Sequence, residues 1–121
     1  MLNLDTHMFV ALLRGDLSER ETELVVREKL AVSDIVLWEL AKLVQIGRLR
    51  MDLNDKEFRR ALGRLTIIPI SIEIACSSTE LDFTSDPADE IIAATSLVER
   101  IPLLTRDRRM LKSRIVPFAA V

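Results

Sequence analysis

The chain has 121 residues, enough for one domain with a buried core. Its 49% hydrophobic and 30% charged residues argue against disorder, and its apolar runs are too short to cross a bilayer. A net charge of -2, one cysteine and one histidine exclude a strongly basic nucleic-acid binder, a disulfide framework and a structural zinc site. We therefore expect one domain over residues 1–121, in the reducing cytoplasm and without a membrane segment.

Short apolar runs alternate with amphipathic segments along the whole chain. The sequence predicts, in order, a strand at 1–4, helices at 6–15 and 18–29, a strand at 30–33, helices at 34–47 and 54–64, a strand at 65–70, helices at 71–80 and 86–100, a strand at 101–105, a short basic helix at 107–113 and a last strand at 114–118. Strands that alternate with helices favour an α/β sandwich with a parallel sheet. The continuous apolar runs are typical of strands that are covered on both faces.

Four acidic residues fall at related places in these elements. Asp5 ends the first strand, and Asp107 follows the strand at 101–105. Asp89 lies in the first turn of the helix that leads into that strand, and Glu39 lies early in the helix after the second strand. Because sites in parallel sheets form beyond the carboxyl ends of the strands, we expect these four side chains to meet at one edge of the sheet.

Each acid also has a purely structural interpretation. Asp86 precedes Pro87 and suits an N-cap, which is worth about 1 kcal/mol. Asp89, at the third helical position, would complement the helix dipole, and Asp5 could cap the first helix. Glu39 could pair with a lysine three residues later on the same helix face. The sequence leaves both interpretations open.

A cluster of these acids would need a counter-charge. Two carboxylates about 5 Å apart repel by roughly 3 kcal/mol at an effective dielectric constant of 20. Such a cluster persists only if protons or cations neutralise it. Oxygen ligands without histidine or cysteine favour Mg²⁺ or Mn²⁺, which leave coordination positions for phosphate oxygens. The pattern therefore indicates a site for a phosphodiester.

Four motifs resemble the PIN-domain ribonucleases, and in particular the VapC-type toxins of toxin–antitoxin pairs. The motifs are LDTH at 4–7, LWELAKL at 37–43, DPADEIIAATS at 86–96 and LLTRDRRML at 103–111. They cover nearly the whole chain and occur in the family's order. The resemblance implies a three-layer α/β/α sandwich with a central parallel sheet. It also implies a magnesium-dependent endoribonuclease that hydrolyses RNA phosphodiesters with a metal-activated water.

The resemblance also implies roles for individual residues. The metal-binding and catalytic positions are Asp5, Glu39, Asp89 and Asp107. The supporting positions are Asp86, Thr6, His7, Ser33 and Thr105. One position departs from the pattern: Glu90 stands where many relatives carry arginine, and its negative charge beside the cluster is expected to weaken the approach of RNA.

Basic residues are concentrated at the C-terminal end. No lysine or arginine lies between Arg64 and Arg100, and beyond Arg100 the sign of the charge reverses. The candidates for phosphate contacts with RNA are Arg106, Arg108, Arg109 and Lys112, with Arg114 beside them. The same residues could instead form a solvated helix face.

The resemblance further implies partners. VapC-type toxins are held inactive by a cognate antitoxin and form homodimers. Val10, Leu13, Leu24 and Val25 could line a groove for the antitoxin or simply belong to the core. Two other functions remain as alternatives: a non-catalytic PIN-like interaction module, and a metal-dependent nuclease that acts on DNA.

Overall fold

A parallel sheet forms the centre of the protein in a computed structural model that describes residues 1–121. Its strands are β1 (Leu2–Leu4), β2 (Leu30–Ser33), β3 (Thr66–Ile68) and β4 (Leu103–Leu104). They lie in the order β3-β2-β1-β4, and all of the pairings are parallel. The register sets Leu4 opposite Val32 on one side and Leu104 on the other. The residues that follow β1 and β4 therefore leave the sheet side by side.

Helices cover both faces of the sheet. They are α1 (Thr6–Arg14), α2 (Glu19–Arg27), α3 (Ile35–Gln45), α4 (Lys56–Leu62), α5 (Ile72–Ser78) and α6 (Pro87–Glu99), and a 3₁₀ turn follows at Met110–Lys112. The neighbouring residues Ala31 and Val32 belong to separate hydrophobic clusters, because successive side chains of a strand point to opposite faces. The α/β/α architecture is thus confirmed. None of the helices combines the length and apolar character needed to cross a membrane.

Local sequence signals explain several of the helix ends. Gly15 ends α1 with a φ of 73°, a left-handed conformation that glycine adopts without a steric penalty. Ser18 and Glu21 form a reciprocal capping box at the start of α2, and the Ser71 side chain caps α5. Pro87 occupies the first turn of α6, where its missing N–H costs nothing. These element predictions are confirmed.

One local prediction holds in position only, and another is wrong. Asp86 occupies the predicted N-cap position of α6, but its side chain accepts no capping hydrogen bond. The expected strand at 114–118 is only a single bridge between Leu103 and Phe118. Ser113 explains the loss of the strand, because its Oγ accepts from the backbone N–H of Ile115 and Val116 and turns the chain there.

Two other predictions hold in part. The basic helix at 107–113 is reduced to the 3₁₀ turn. Coverage on both faces holds for the inner strands but not for β3, which lies at the edge of the sheet with Thr66 and Ile67 exposed.

A buried amide connects β1 with α6. Asn3 is completely buried, and its Nδ2 donates to Ser96 Oγ at 2.9 Å and to the Ile92 carbonyl at 3.3 Å. Its Oδ1 has no hydrogen-bond partner. The two elements that Asn3 joins are those that carry Asp5 and Asp89, so this contact helps to set where the two acids lie relative to each other.

Candidate functional site

The fold brings the four predicted acids to one edge of the sheet. Asp5 directly follows β1 and Asp107 follows β4, its hydrogen-bonded neighbour. Glu39 lies in the second turn of α3, after β2, and Asp89 lies in the first turn of α6. Since all strands are parallel, the carboxyl ends of β1, β2 and β4 share this edge.

Asp5 is both a helix cap and a member of the acidic group. Its side chain is buried, and Oδ1 accepts from the backbone N–H of Met8 at 2.8 Å. Oδ2 accepts from the Thr105 hydroxyl at 2.5 Å. Burial raises the pKa of the Asp5 carboxyl above its ordinary value, against the opposing effect of these two hydrogen bonds. The nearby charge of Asp107 raises this pKa further.

The pKa of Asp89 depends on the charges of all three other acids. Partial burial, and then the negative charge of Glu39, raise its pKa from 3.8 to about 6. Asp107 and Asp5 contribute in the same direction, and a hydrogen bond from Ser85 Oγ at 3.1 Å opposes them. The carboxylates therefore lie close enough to repel one another and do not point to separate regions of solvent.

Glu39 does not form the surface ion pair that its position on α3 would allow. Lys42 instead donates to Gln45 at 3.1 Å and lies 5.7 Å from the centroid of the Trp38 ring. Glu39 accepts a hydrogen bond from the hydroxyl of Thr6. Its carboxylate is therefore directed toward the start of α1 and the acidic group.

Asp107 is held in a tight turn after β4. Its Oδ1 accepts from the backbone N–H of Arg109 at 2.8 Å and of Met110 at 3.1 Å. Its own N–H donates to Thr105 Oγ1 at 3.0 Å. The hydroxyl of Thr105 thus donates to the Asp5 carboxylate and accepts from the backbone N–H of Asp107.

The four acids provide the donor atoms of a site for a hard cation, but their side chains are not placed to coordinate one ion together. All four offer only carboxylate oxygens, the donors that Mg²⁺ and Mn²⁺ favour. However, no three of the protein's acidic, histidine or cysteine side chains are placed so that they could hold one ion together. Neighbouring hydroxyls and backbone amides occupy several of the carboxylate oxygens instead. Joint coordination of an ion would therefore require side-chain rotation.

The predicted supporting residues divide into two groups. Thr6 and Thr105 donate directly to acids of the group. Ser33, His7 and Asp86 make no hydrogen bond to any of the four acids: Ser33 is buried and accepts from the N–H of Ile35 at 3.3 Å, whereas His7 and Asp86 are exposed.

Sequence reasoning missed Ser85. Its hydroxyl donates to Asp89, and its N–H donates to Glu90 Oε2 at 3.2 Å. The residue lies before the helix in a stretch with no regular pattern, so only its position just upstream of DPAD could have indicated it. One carboxylate oxygen of Glu90 is thus directed to the turn at Ser85.

Arg106, one of the four candidates for phosphate contacts, forms an ion pair with an acid of α2. Its guanidinium is bonded to Glu21, and this ion pair lowers the pKa of Glu21 to about 2. The other three candidates, Arg108, Arg109 and Lys112, are exposed and form no ion pair. They remain the residues that are free to contact a phosphate.

Two shallow grooves lie beside α2 and α4. The first is lined by Leu17, Glu19, Thr22, Glu23, Val26 and Arg27, and we call it the α2 groove. The second lies between α1 and α4 and includes Leu13. Of the other residues expected in a groove, Val10 belongs to the core and Leu24 and Val25 pack against it.

The family of this chain is shown by its match to a protein-family model. The model of the PIN domain matches residues 3–115, which is most of the chain. The chain belongs to the PIN domain family.

Solved structures share the fold of this PIN domain. VapBC2 from Rickettsia felis, bound to a DNA fragment from its promoter, is similar over 98% of both chains, with a TM-score of 0.76 and 21% identity. A toxin–antitoxin complex from Klebsiella pneumoniae covers 93% of this chain and 91% of its own, with a TM-score of 0.71 and 23% identity. DNA-bound VapBC from Salmonella typhimurium covers 98% and 96%, with a TM-score of 0.69 and 16% identity. The search of curated protein sequences found no significant match to this chain.

Replacement of Asp89 by asparagine should stabilise the ion-free PIN domain at neutral pH. The pKa of Asp89 is raised in the folded state, so stability falls as pH rises from about 4 to about 6 and stays reduced above that range. Asp89→Asn removes this penalty, which we expect to be about 1–2 kcal/mol at neutral pH and close to zero at about pH 4. Urea unfolding with a chelator present measures the difference.

Asp86→Asn is the matched control for this measurement, because Asp86 is exposed at the start of the same helix and its side chain accepts no capping hydrogen bond. It should leave stability unchanged at both pH values. A wild-type protein as stable as Asp89→Asn at neutral pH would contradict the repulsion described above.

Proposed function

We propose that this PIN domain is a divalent-cation-dependent endoribonuclease and the toxin of a toxin–antitoxin pair. One observation supports the enzymatic part most strongly: four carboxylates from separate parts of the chain meet at one edge of the parallel sheet, where burial and their mutual repulsion raise the pKa of Asp89 to about 6. A protein retains such repulsion where it serves a site, and perturbed carboxylates are typical of such sites. Membership of a family whose members are generally nucleases supports the same conclusion.

In this proposal, Asp5, Glu39, Asp89 and Asp107 hold Mg²⁺ or Mn²⁺. When bound, the ion supplies a water of lowered pKa and neutralises charge on the phosphodiester. The protein's own hydroxyls orient the ligands: Thr105 holds Asp5, Thr6 holds Glu39 and Ser85 holds Asp89. Each of these bonds keeps a carboxylate at the edge of the sheet, and binding of the ion would rotate the side chains into joint coordination.

Removal of a proposed ligand should abolish RNA cleavage. We expect Asp5→Asn and Asp89→Asn each to lower Mg²⁺-dependent cleavage by about 100-fold or more, since each removes about 3 kcal/mol of charge stabilisation. The assay uses a labelled single-stranded RNA with Mg²⁺ or with EDTA. Glu99→Gln, at the exposed far end of α6, is the control and should cleave like the wild type.

The same assay tests the other functions. Cleavage that survives Asp5→Asn would show that the proposed acidic site does not perform it. Absence of cleavage in the folded wild-type protein would favour a non-catalytic interaction module. Cleavage of a DNA strand of matched sequence in preference to the RNA would favour a DNA nuclease. We expect cleavage of RNA alone.

Arg108 and Arg109 are proposed to contact RNA phosphates, with Lys112 beside them. Each phosphate contact with a single strand contributes about 0.7 to the slope of log K against log salt concentration. Arg108→Gln/Arg109→Gln should therefore reduce that slope by about 1.4, measured by fluorescence anisotropy with a cleavage-inactive variant. Arg59→Gln/Arg60→Gln on α4 is the matched control, and an equal slope change in both pairs would remove Arg108 and Arg109 from the contact surface.

The toxin assignment predicts an antitoxin that covers the α2 groove. The apolar residues of the groove, Leu17 and Val26, lie among the carboxylates of Glu19 and Glu23. Such a surface suits an antitoxin helix with an apolar stripe flanked by basic side chains. The likeness in fold to toxin–antitoxin complexes supports this proposal. The homodimer that the resemblance implies stays a prediction.

Val26→Asp should weaken binding of the antitoxin encoded beside this chain by about 10-fold or more, because it places a charge in an apolar contact. Isothermal titration calorimetry measures the affinity. Ile72→Asp is a matched control, since Val26 and Ile72 are each 80% exposed. If the antitoxin binds the Val26→Asp variant and the wild-type protein with equal affinity, it does not use this groove.

A further inference from the structure

An ion pair joins α2 to the segment that carries Asp107. Arg106 Nε donates to Glu21 Oε2 at 2.9 Å, and Arg106 Nη2 donates to Glu21 Oε1 at 2.5 Å. Nη2 also donates to the Asp16 carbonyl at 2.9 Å, in the loop between α1 and α2. A two-point contact of this kind fixes the plane of the guanidinium as well as its position.

Glu21 is held on its other side as well. Its Oε1 accepts from the backbone N–H of Ser18 at 2.8 Å within the capping box of α2. The Glu21 side chain is only 8% exposed, whereas that of Arg106 is 51% exposed. The Glu21 carboxylate therefore has a fixed position at the start of α2, and the longer and more exposed side chain of Arg106 extends to it.

Arg106 lies between two residues of the acidic site. The side chain of Thr105 donates to Asp5, and the side chain of its neighbour Arg106 donates to Glu21. The Asp107 N–H turns back to Thr105 Oγ1, so the three residues form one tight segment that is held at both side chains. Fixing the guanidinium therefore fixes the rotation of the segment, and with it the directions of Thr105 and Asp107.

We propose that Glu21 is a positioning residue for the acidic site, acting through Arg106 on Thr105 and Asp107. Glu21 makes no hydrogen bond to any of the four acids, so its effect passes through the segment that follows β4. The inference rests on the proposed function only for its effect on ion binding and cleavage. Its effect on the turn at Asp107 is independent of that function.

The test compares Glu21→Gln and Arg106→Gln with Ser18→Ala. Glu21→Gln keeps the length of the side chain and an oxygen that can accept from Ser18, but it loses the charge and one acceptor for Arg106. Ser18→Ala removes the other half of the capping box, the bond from Glu21 N–H to Ser18 Oγ, without touching the ion pair. It therefore reports the cost of a weakened α2 alone.

Three readouts are measured on the full chain. The first is amide hydrogen exchange at Arg109 and Met110, whose N–H groups donate to Asp107 Oδ1. The second is the dissociation constant of Mn²⁺, from titration calorimetry. The third is the split of RNA cleavage between kcat and KM.

Glu21→Gln and Arg106→Gln should each raise amide exchange at Arg109 and Met110 by about 10-fold. They should also weaken Mn²⁺ binding and lower kcat by about 10-fold, with little change in KM for Glu21→Gln. The double variant should be no worse than either single one, because both remove the same contact. Ser18→Ala should lower the melting temperature and leave all three readouts unchanged.

The proposal is overturned if exchange at Arg109 and Met110 in Glu21→Gln equals that of the wild type, or if Ser18→Ala raises it equally. A wild type that neither binds Mn²⁺ nor cleaves RNA would instead refute the proposed function. In that case amide exchange alone still decides whether Glu21 positions the turn.

Discussion

Repulsion between carboxylates that have partly lost their water is the constraint on which this structure depends. Asp5 is buried and Asp89 half-buried, and both have raised pKa values because their charged forms are poorly solvated. Threonine and serine hydroxyls and backbone N–H groups return part of the lost solvation. Hydrogen-bond donors at this edge of the sheet thus offset part of the cost of gathering negative charge there.

Much of this arrangement could be predicted from the sequence because its signals are local. The apolar run at 1–4, Gly15 and the Ser18–Glu21 pair each define an element within a few residues of themselves. Once the strands are parallel, topology places Asp5 and Asp107 at the same edge. For Asp5 the capping interpretation is confirmed, because one carboxylate oxygen caps α1 while the other accepts from Thr105, and its role as a metal ligand stays a prediction.

The rest could not be predicted because it depends on the paths of loops. Arg106 and Glu21 are 85 residues apart in the sequence, and no local pattern predicts which acid a surface arginine pairs with. Ser85 reaches Asp89 only because the irregular chain before α6 turns toward the site. The last predicted strand failed for a similar reason: the hydroxyl of Ser113 competes for the N–H groups that a strand would have used.

The buried amide of Asn3 has a consequence for the uniqueness of the fold. Helix α6 is held by apolar packing, with Ile92, Ala93 and Ala94 completely buried. A displaced α6 would also move Ser96 and the Ile92 carbonyl away from Asn3 and leave its buried Nδ2 without a hydrogen-bond partner. The amide therefore adds a directional constraint to non-directional packing, and the position of Asp89 on the same helix depends on both.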